Sequence, residues 1–415
     1  MKWLPQVLSK SNVRPLHRAV ATVIMVLAGY FAVTGLMIQA VDIGTIVRHA
    51  PADSPGMMAI RESLDGPPNF AVIRTSDYAA PALPAHFPFA ATALRALALA
   101  RRGISPNAPL KFVEWRVVDR RPIWQGQFGD QVVRVDPAAD TVHIVPPAPP
   151  PKPVQSWHAT LKSWHRLWAL GDRMLWINAL VGIGLMIMIA SGLRLYFQLL
   201  SARHRMGRRG AFWRNGGWLR SLHRGIAIVA AVPLLVVSIT GTLLSFDSFA
   251  FGIYRSLHRS ELVGGFAPPG MVDDQSSPMS ADEVPGMLTT TLQAFRRDHP
   301  ATPIKVLRLR YFAGVPQGVI VTGGADVQQL VYNSHSGRRV GMSGPTYPFA
   351  GFPLGWQLHE TIKRIHRGDI LGLPGRLLDV AAGLSLAFLS ISGLLMYVDL
   401  LRRRRKAGRK GLFWR

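Results

Sequence analysis

The chain has 415 residues, of which 48% are hydrophobic and none is cysteine, and its formal net charge is +25. One soluble core is excluded, because the hydropathy concentrates in four long stretches. Nucleic-acid binding is excluded by where the charge sits. Met1–Arg18, Ser201–Arg224 and Arg402–Arg415 hold Lys and Arg without one Asp or Glu, and they lie at alternate ends of those stretches, as topology signals do.

Residues 1–41 form a basic N-terminus and a first span, whose apolar part, Arg18–Val41, exceeds the roughly 20 residues that cross a bilayer core. It resembles a signal peptide, with Lys2, Lys10 and Arg14 ahead of it. Its apolar run is too long for an h-region and no clean small-x-small cleavage site follows, so it reads as a retained anchor. Residues 42–173 form an outside segment. A helix-like stretch, Ala90–Arg102, precedes alternating residues 111–145, with turn signals at Gly129-Asp130 and Asp136-Pro137. The proline-rich Pro146–Pro153 is a semi-rigid spacer leading to an amphipathic approach helix. Span two (174–200), a basic loop (201–224) and span three (225–251, with Pro233 as a tolerated kink) follow.

The second outside segment, 252–375, reads in the same way. Its helix-like stretch is Ser280–Asp298, and residues 304–340 alternate with turns at Gly323-Gly324 and Ser336-Gly337. Span four (376–401) and a basic tail (402–415) close the chain. The positive-inside rule puts both termini and the 201–224 loop in the cytoplasm. The expected architecture is an α-helical four-span bundle with two α+β domains outside. The cytoplasmic pieces, about 14 to 24 residues each, leave no room for a nucleotide or flavin domain.

The two halves share their spacings. Leu16-His17-Arg18 leads to Thr34-Gly35, and Leu222-His223-Arg224 leads to Thr240-Gly241, with 17 residues from His to Thr in both. His158 and His165-Arg166 precede Ser191-Gly192, and His359 and His366-Arg367 precede Ser392-Gly393. The intervals here are 7 and 26 residues in each half. The chain therefore reads as an internal duplication, with functional sites expected where the repeats meet. The Thr-Gly and Ser-Gly pairs read as small residues that let helices approach closely.

Six of the thirteen histidines form three matched pairs: His17/His223, His158/His359 and His165/His366. One such histidine is an ordinary interfacial anchor, but six in duplicated pairs beside membrane spans point to a site. Carboxylates are too sparse there (Asp172, Glu360, Asp369 and Asp379) for a carboxylate metal site. Neutral imidazoles on facing helices are what bis-histidine haem requires, and without cysteine any haem is held non-covalently. Arg18, Arg166, Arg224 and Arg367 each follow a histidine directly and suit haem propionates. This ranks His165 and His366 above His158 and His359 as outer ligands.

With these motifs the sequence resembles the PepSY-associated transmembrane family, which includes iron-regulated membrane proteins and bacterial ferric-siderophore reductases. The resemblance rests on the Leu-His-Arg span starts, the His-x6-His-Arg approach segments, the Ser-Gly-Leu ends of spans two and four, and the paired outside domains. It implies an inner-membrane bundle carrying haem b, with PepSY-like domains in the periplasm. It also implies an oxidoreductase that delivers electrons to a ferric siderophore or other iron chelate. Two bis-histidine haems are expected, with His17, His165, His223 and His366 as axial ligands to the iron. The donor is expected to be quinol or a separate cytoplasmic reductase.

Arg116, Arg120, Arg121, Arg308 and Arg310 read either as attractors for an anionic chelate or as solvated strand positions. His165 lies nine residues before Met174, about 14 Å of straight helix beyond the outer edge, while His17 sits at the inner edge. Either the approach segments bend inward, or one layer alone binds haem, or all four outer histidines ligate. Two other classes compete: a non-redox PepSY membrane protein acting in transport, ligand sensing or peptidase regulation, and a non-catalytic partner of an iron-uptake system.

Overall fold

A computed structural model describes residues 13–51, 54–65, 75–105, 107–146, 155–171, 174–208, 210–213, 217–257, 277–312, 314–324, 327–340 and 354–408. Lys2, Lys10, Asp172, residues 147–153 of the proline spacer and residues 409–415 of the tail lie outside these. The chain divides into two compact units, one built from residues 1–47, 157–254 and 361–415, the other from 48–156 and 255–360.

The first unit contains four helices long and apolar enough to cross a membrane: α1 (Val13–Val47), α5 (Leu175–Arg205), α7 (Ala231–Leu257) and α10 (Gly372–Lys406). Their burial is inverted relative to a soluble bundle. On α1 the apolar Val23, Val26, Val33 and Met37 are exposed, while the polar Thr34, Gln39 and Asp42 are buried. A lipid environment selects that pattern, because apolar side chains gain nothing by leaving hydrocarbon whereas polar ones must find partners. Small residues let the helices close: Ile24 lies where a side chain on Gly184 would be, and Leu36 occupies the same place over Gly383. Helix α7 is preceded by α6 (Trp218–Val229), and the two are separated at Ala230. Pro233 lacks the N–H that would bond Val229 and its ring crowds that carbonyl, which accounts for the interruption.

Two short helices, α4 (Trp157–His165) and α9 (Trp356–His366), precede α5 and α10. They are not continuous with the spans, which is the bend of the approach segments that the sequence left open as one alternative. After α4 the backbone reverses through Leu167 and Gly171, both at positive φ (56° and 90°). After α9 it does so through Gly368 and Gly372 (73° and 63°). Glycine tolerates this region at no steric cost. At Gly368 the backbone of Gly375 also passes too close for any side chain.

The second unit is built on one sheet: β1 (Leu110–Val118), β2 (Arg121–Phe128), β3 (Gln131–Asp136), β4 (Thr141–Val145), β5 (Ile304–Phe312), β6 (Val315–Thr322) and β7 (Gln329–Asn333). The order is β4-β3-β2-β1-β5-β6-β7, with every neighbouring pair antiparallel. The sequence led us to expect a separate sheet in each half. Instead β1 and β5, each an edge in its own half, pair with one another and satisfy backbone groups that would otherwise be unpaired. Helices α3 (Phe89–Arg102) and α8 (Val284–Asp298) cover one face, burying Trp115, Trp124, Phe128 and Phe295. Each such side chain stabilises the fold by about 2 kcal/mol. A capping box, Ser280 with Glu283, starts the α8 segment. At the β1–β5 join Glu114 lies opposite Arg308. The Glu114 carboxylate is fully buried and accepts from Arg308 (2.5 Å), Arg116 (3.2 Å) and Gln125 (2.7 Å).

Candidate functional site

Within the span unit each of four histidines seats on a hydroxyl-glycine pair of a facing helix. His17 Nδ1 lies 2.8 Å from Ser191 Oγ, and His165 Nδ1 lies 2.9 Å from Thr34 Oγ1. The other half repeats this, with His223 Nδ1 2.7 Å from Ser392 Oγ and His366 Nδ1 3.0 Å from Thr240 Oγ1. The adjoining glycines make room for the rings. A side chain on Gly35 would begin 3.3 Å from His165 Cε1, and one on Gly241 would begin 3.0 Å from His366 Cε1. The equivalent distances at Gly192 (to His17) and Gly393 (to His223) are 3.4 and 3.8 Å.

The hydroxyls also set the tautomer. Each has one proton, and each lies within donating distance of a carbonyl of its own helix: Thr34 to Tyr30 (2.9 Å), Ser191 to Ile187 (2.6 Å), Thr240 to Val236 (2.7 Å) and Ser392 to Leu389 (3.3 Å). Toward the imidazole the hydroxyl therefore accepts, so Nδ1 carries the hydrogen. Nε2 is left with its lone pair in all four rings, the form that ligates iron. By their seats the four imidazoles sort into two matched sets, His17 and His223 on Ser-Gly pairs and His165 and His366 on Thr-Gly pairs, with one ring from each half in each set. Along α1 the seats at His17 and Thr34 are about 25 Å apart, from the helical rise.

The other sequence-derived site residues fall elsewhere. His158 is buried and donates from Nδ1 to Asp42 (2.6 Å). His359 is also buried, on α9. Arg166 stacks on Trp168 (4.2 Å) and donates to Ser248 (2.7 Å). Arg224 stacks on Trp213 (4.9 Å) and donates to its carbonyl (3.1 Å). Arg18 is exposed and shares its surroundings with Arg14, Arg220 and Arg404. Arg367 bonds Asp42 (3.3 Å) and Asp369 (3.2 Å), so it already holds two protein carboxylates.

Sequence reasoning missed a polar network at this end of α1 and α10. Asp42 accepts from Arg376 (3.0 Å) as well as from His158 and Arg367, and Arg376 also bonds Gln39 (3.2 Å) and Asp369 (2.7 Å). Gln39 in turn donates to Asp379 (2.6 Å) and to the Arg367 carbonyl (3.0 Å). The available signal was Gln39 and Asp42 one helical turn apart near the end of an apolar run, with Arg376 opening another. Among the described residues, no group of three or more His, Cys, Asp or Glu side chains forms a metal cage.

In the sheet unit, Arg116 and Arg308 are neither solvated nor available to an anion in the way expected. Glu114 binds both, and Asp77 also binds Arg116 (2.5 Å). Arg120 and Arg121 are exposed, and Arg310 stacks on Phe312 (4.3 Å). A family model described as the PepSY-associated TM region matches residues 68–399. No curated protein matches the chain.

Proposed function

The chain belongs to the PepSY-associated TM family, and on that premise we propose that it is an inner-membrane haem-b electron conduit reducing a ferric siderophore, or another ferric chelate, in the periplasm. The observation that carries this reading is the seat shared by four imidazoles. Each Nδ1 lies 2.7–3.0 Å from a hydroxyl that is itself within donating distance of a carbonyl of its own helix, an arrangement that favours a hydrogen on Nδ1 and keeps Nε2 for a ligand. A helix anchor needs no such uniformity, and a histidine that merely satisfies itself inside a bundle would use both nitrogens. The donor set fits haem: two imidazole nitrogens per layer, with glycines clearing each ring.

In this reading His165 and His366 hold one haem and His17 and His223 the other. Bound haem supplies one-electron transfer between ferric and ferrous iron. The chain's own contribution is orientation: the hydroxyls fix each ring's tautomer and the glycines fix its depth. The repeated seats are what an internal duplication leaves, with the sites where the halves meet. By the positive-inside rule, the basic 201–224 loop and both termini lie in the cytoplasm and the sheet unit in the periplasm. The test is single-turnover reduction of a ferric hydroxamate or catecholate chelate by dithionite-reduced, desalted protein. Reoxidation of the protein in step with chelate reduction is the expected result. A haem protein that stays reduced beside every chelate would return the family's non-redox roles, transport, sensing or peptidase regulation, to first place.

A further inference from the structure

The aromatic pair Phe212-Trp213 is not part of the histidine seats, yet the sequence repeats it in step with them. Gly210-Ala211-Phe212-Trp213-Arg214 follows span two, and Gly411-Leu412-Phe413-Trp414-Arg415 follows span four. Each tryptophan stands 22 residues after the serine that seats a ring of the His17/His223 layer, Ser191 or Ser392. A turn after a span requires no aromatic pair at a fixed distance from a histidine seat.

In the first copy the indole is held by the span unit. Trp213 stacks on Tyr196 with ring centroids 5.7 Å apart, and the guanidiniums of Arg203 and Arg224 lie 4.6 and 4.9 Å from its centroid. Tyr196 fixes the segment by donating to the Ala211 carbonyl (2.8 Å), and Arg224 by donating to that of Trp213 (3.1 Å). An interfacial anchor presents its ring outward, as the 71% exposed Trp218 does, whereas Trp213 is half-buried among cations. Both holding residues lead to the His17/His223 layer. Tyr196 lies five residues, about 7.5 Å along α5, beyond the Ser191 seat of His17, and Arg224 directly follows His223.

Phe212, next to Trp213, is 64% exposed. The segment that presents it is cationic: Arg205 and Arg208 are exposed, and Ser201–Arg224 contains no Asp or Glu. Among the described residues at the basic ends of the spans the acid is Asp399, which Arg403 (3.1 Å) and Arg220 (4.0 Å) hold. An exposed aromatic with a charged rim suits a small electron-transfer encounter, in which the rim steers the partner and the ring makes the central contact. A quinol is neutral and gains nothing from that rim, whereas an acidic protein complements it.

We propose that Phe212 and Trp213 form the electron-entry port of the His17/His223 layer and receive a soluble, acidic one-electron carrier protein. The proposal rests on the haem reading above, which also places this end in the cytoplasm. One electron leaves the partner's reduced cofactor, which is oxidised by one electron, and converts ferric to ferrous haem. No bond in this chain forms or breaks.

The probe is an acidic flavodoxin. Binding of oxidised flavodoxin to the purified full-length protein is measured by calorimetry, with haem bound and in the His17→Ala variant. Reduction by flavodoxin hydroquinone is followed by stopped flow. Binding is expected in both forms, and to weaken about tenfold or more from low to high salt. Phe212→Ala weakens it roughly tenfold, as loss of a central aromatic contact does, and Arg205→Glu with Arg208→Glu does at least as much. Both variants slow reduction by flavodoxin in proportion and leave reduction by the methyl viologen radical, a small cation, unchanged. Binding indifferent to salt and to both variants, or equal slowing with both reductants, overturns the proposal and leaves the haem reading standing. So does a protein that fails to bind flavodoxin yet retains phosphatidylglycerol through Arg205 and Arg208, which makes this face a lipid contact. A protein with no Soret band overturns the haem reading and the port with it.

Discussion

Replacing the glycine beneath each histidine gives a graded test of the four seats. A Cβ on Gly241 would stand 3.0 Å from His366 Cε1 and 3.6 Å from its Nδ1. Ordinary carbon contacts are about 3.5–4.0 Å, so the ring must retreat by about 0.5–1 Å. That exceeds the roughly 0.5 Å tolerance of a ligand constellation. Overpacking of this kind costs about 1–3 kcal/mol, or roughly 5–150-fold in haem affinity. Gly393→Ala, at 3.8 Å from His223, costs nothing by the same measure. Gly35→Ala (3.3 Å) and Gly192→Ala (3.4 Å) fall between. Alanine is the better helix former by about 1 kcal/mol, so loss of the helix does not confound the series. The assay is haem per protein from reduced-minus-oxidised spectra after purification. Equal losses at Gly241 and Gly393, or full haem retention in Gly241→Ala, would refute the seat argument.

The remaining expectations concern the partners of these rings and the sheet. Thr240→Val keeps the shape but removes the acceptor for His366 Nδ1–H, and haem affinity at that layer falls about 10–100-fold, measured by haem transfer to apomyoglobin. The Ser392→Ala variant acts the same way on the other layer through His223. In the sheet unit Glu114→Gln leaves two guanidiniums facing a neutral amide at the β1–β5 join. Because both arginines are partly exposed (20% and 17%), the cost is set at the low end for a buried pair, about 3 kcal/mol, read as a lower unfolding midpoint with the haem spectrum intact.

The spans were plain in the sequence because apolar runs of that length have few other uses, and the alternation in 111–145 and 304–340 marked the strands. The joining of the two halves into one sheet was hidden, since which edge a strand offers depends on register with a distant partner. The Thr34-Gly35 and Ser191-Gly192 pairs were visible at matched intervals, but read singly they mean only close packing. Their role emerges when α4 folds back through Leu167 and Gly171 and sets His165 on Thr34. Sequence spacing carried the pairing of halves; the reversal rests on local backbone at Leu167, a residue type with no preference for positive φ. Asp42 was overlooked because an isolated aspartate at the end of a span reads as the interface. Its partners come from three separate segments.

The central claim is that four Nε2 lone pairs bind haem in two layers, and its most direct test is the spectrum of the protein purified from haem-replete cells. The account predicts two haems per chain, with a Soret band and reducible α bands of low-spin bis-histidine haem. Half of that signal disappears in His165→Ala or His366→Ala, and the other half in His17→Ala or His223→Ala. A colourless wild-type protein, or one whose haem survives all four substitutions, contradicts it.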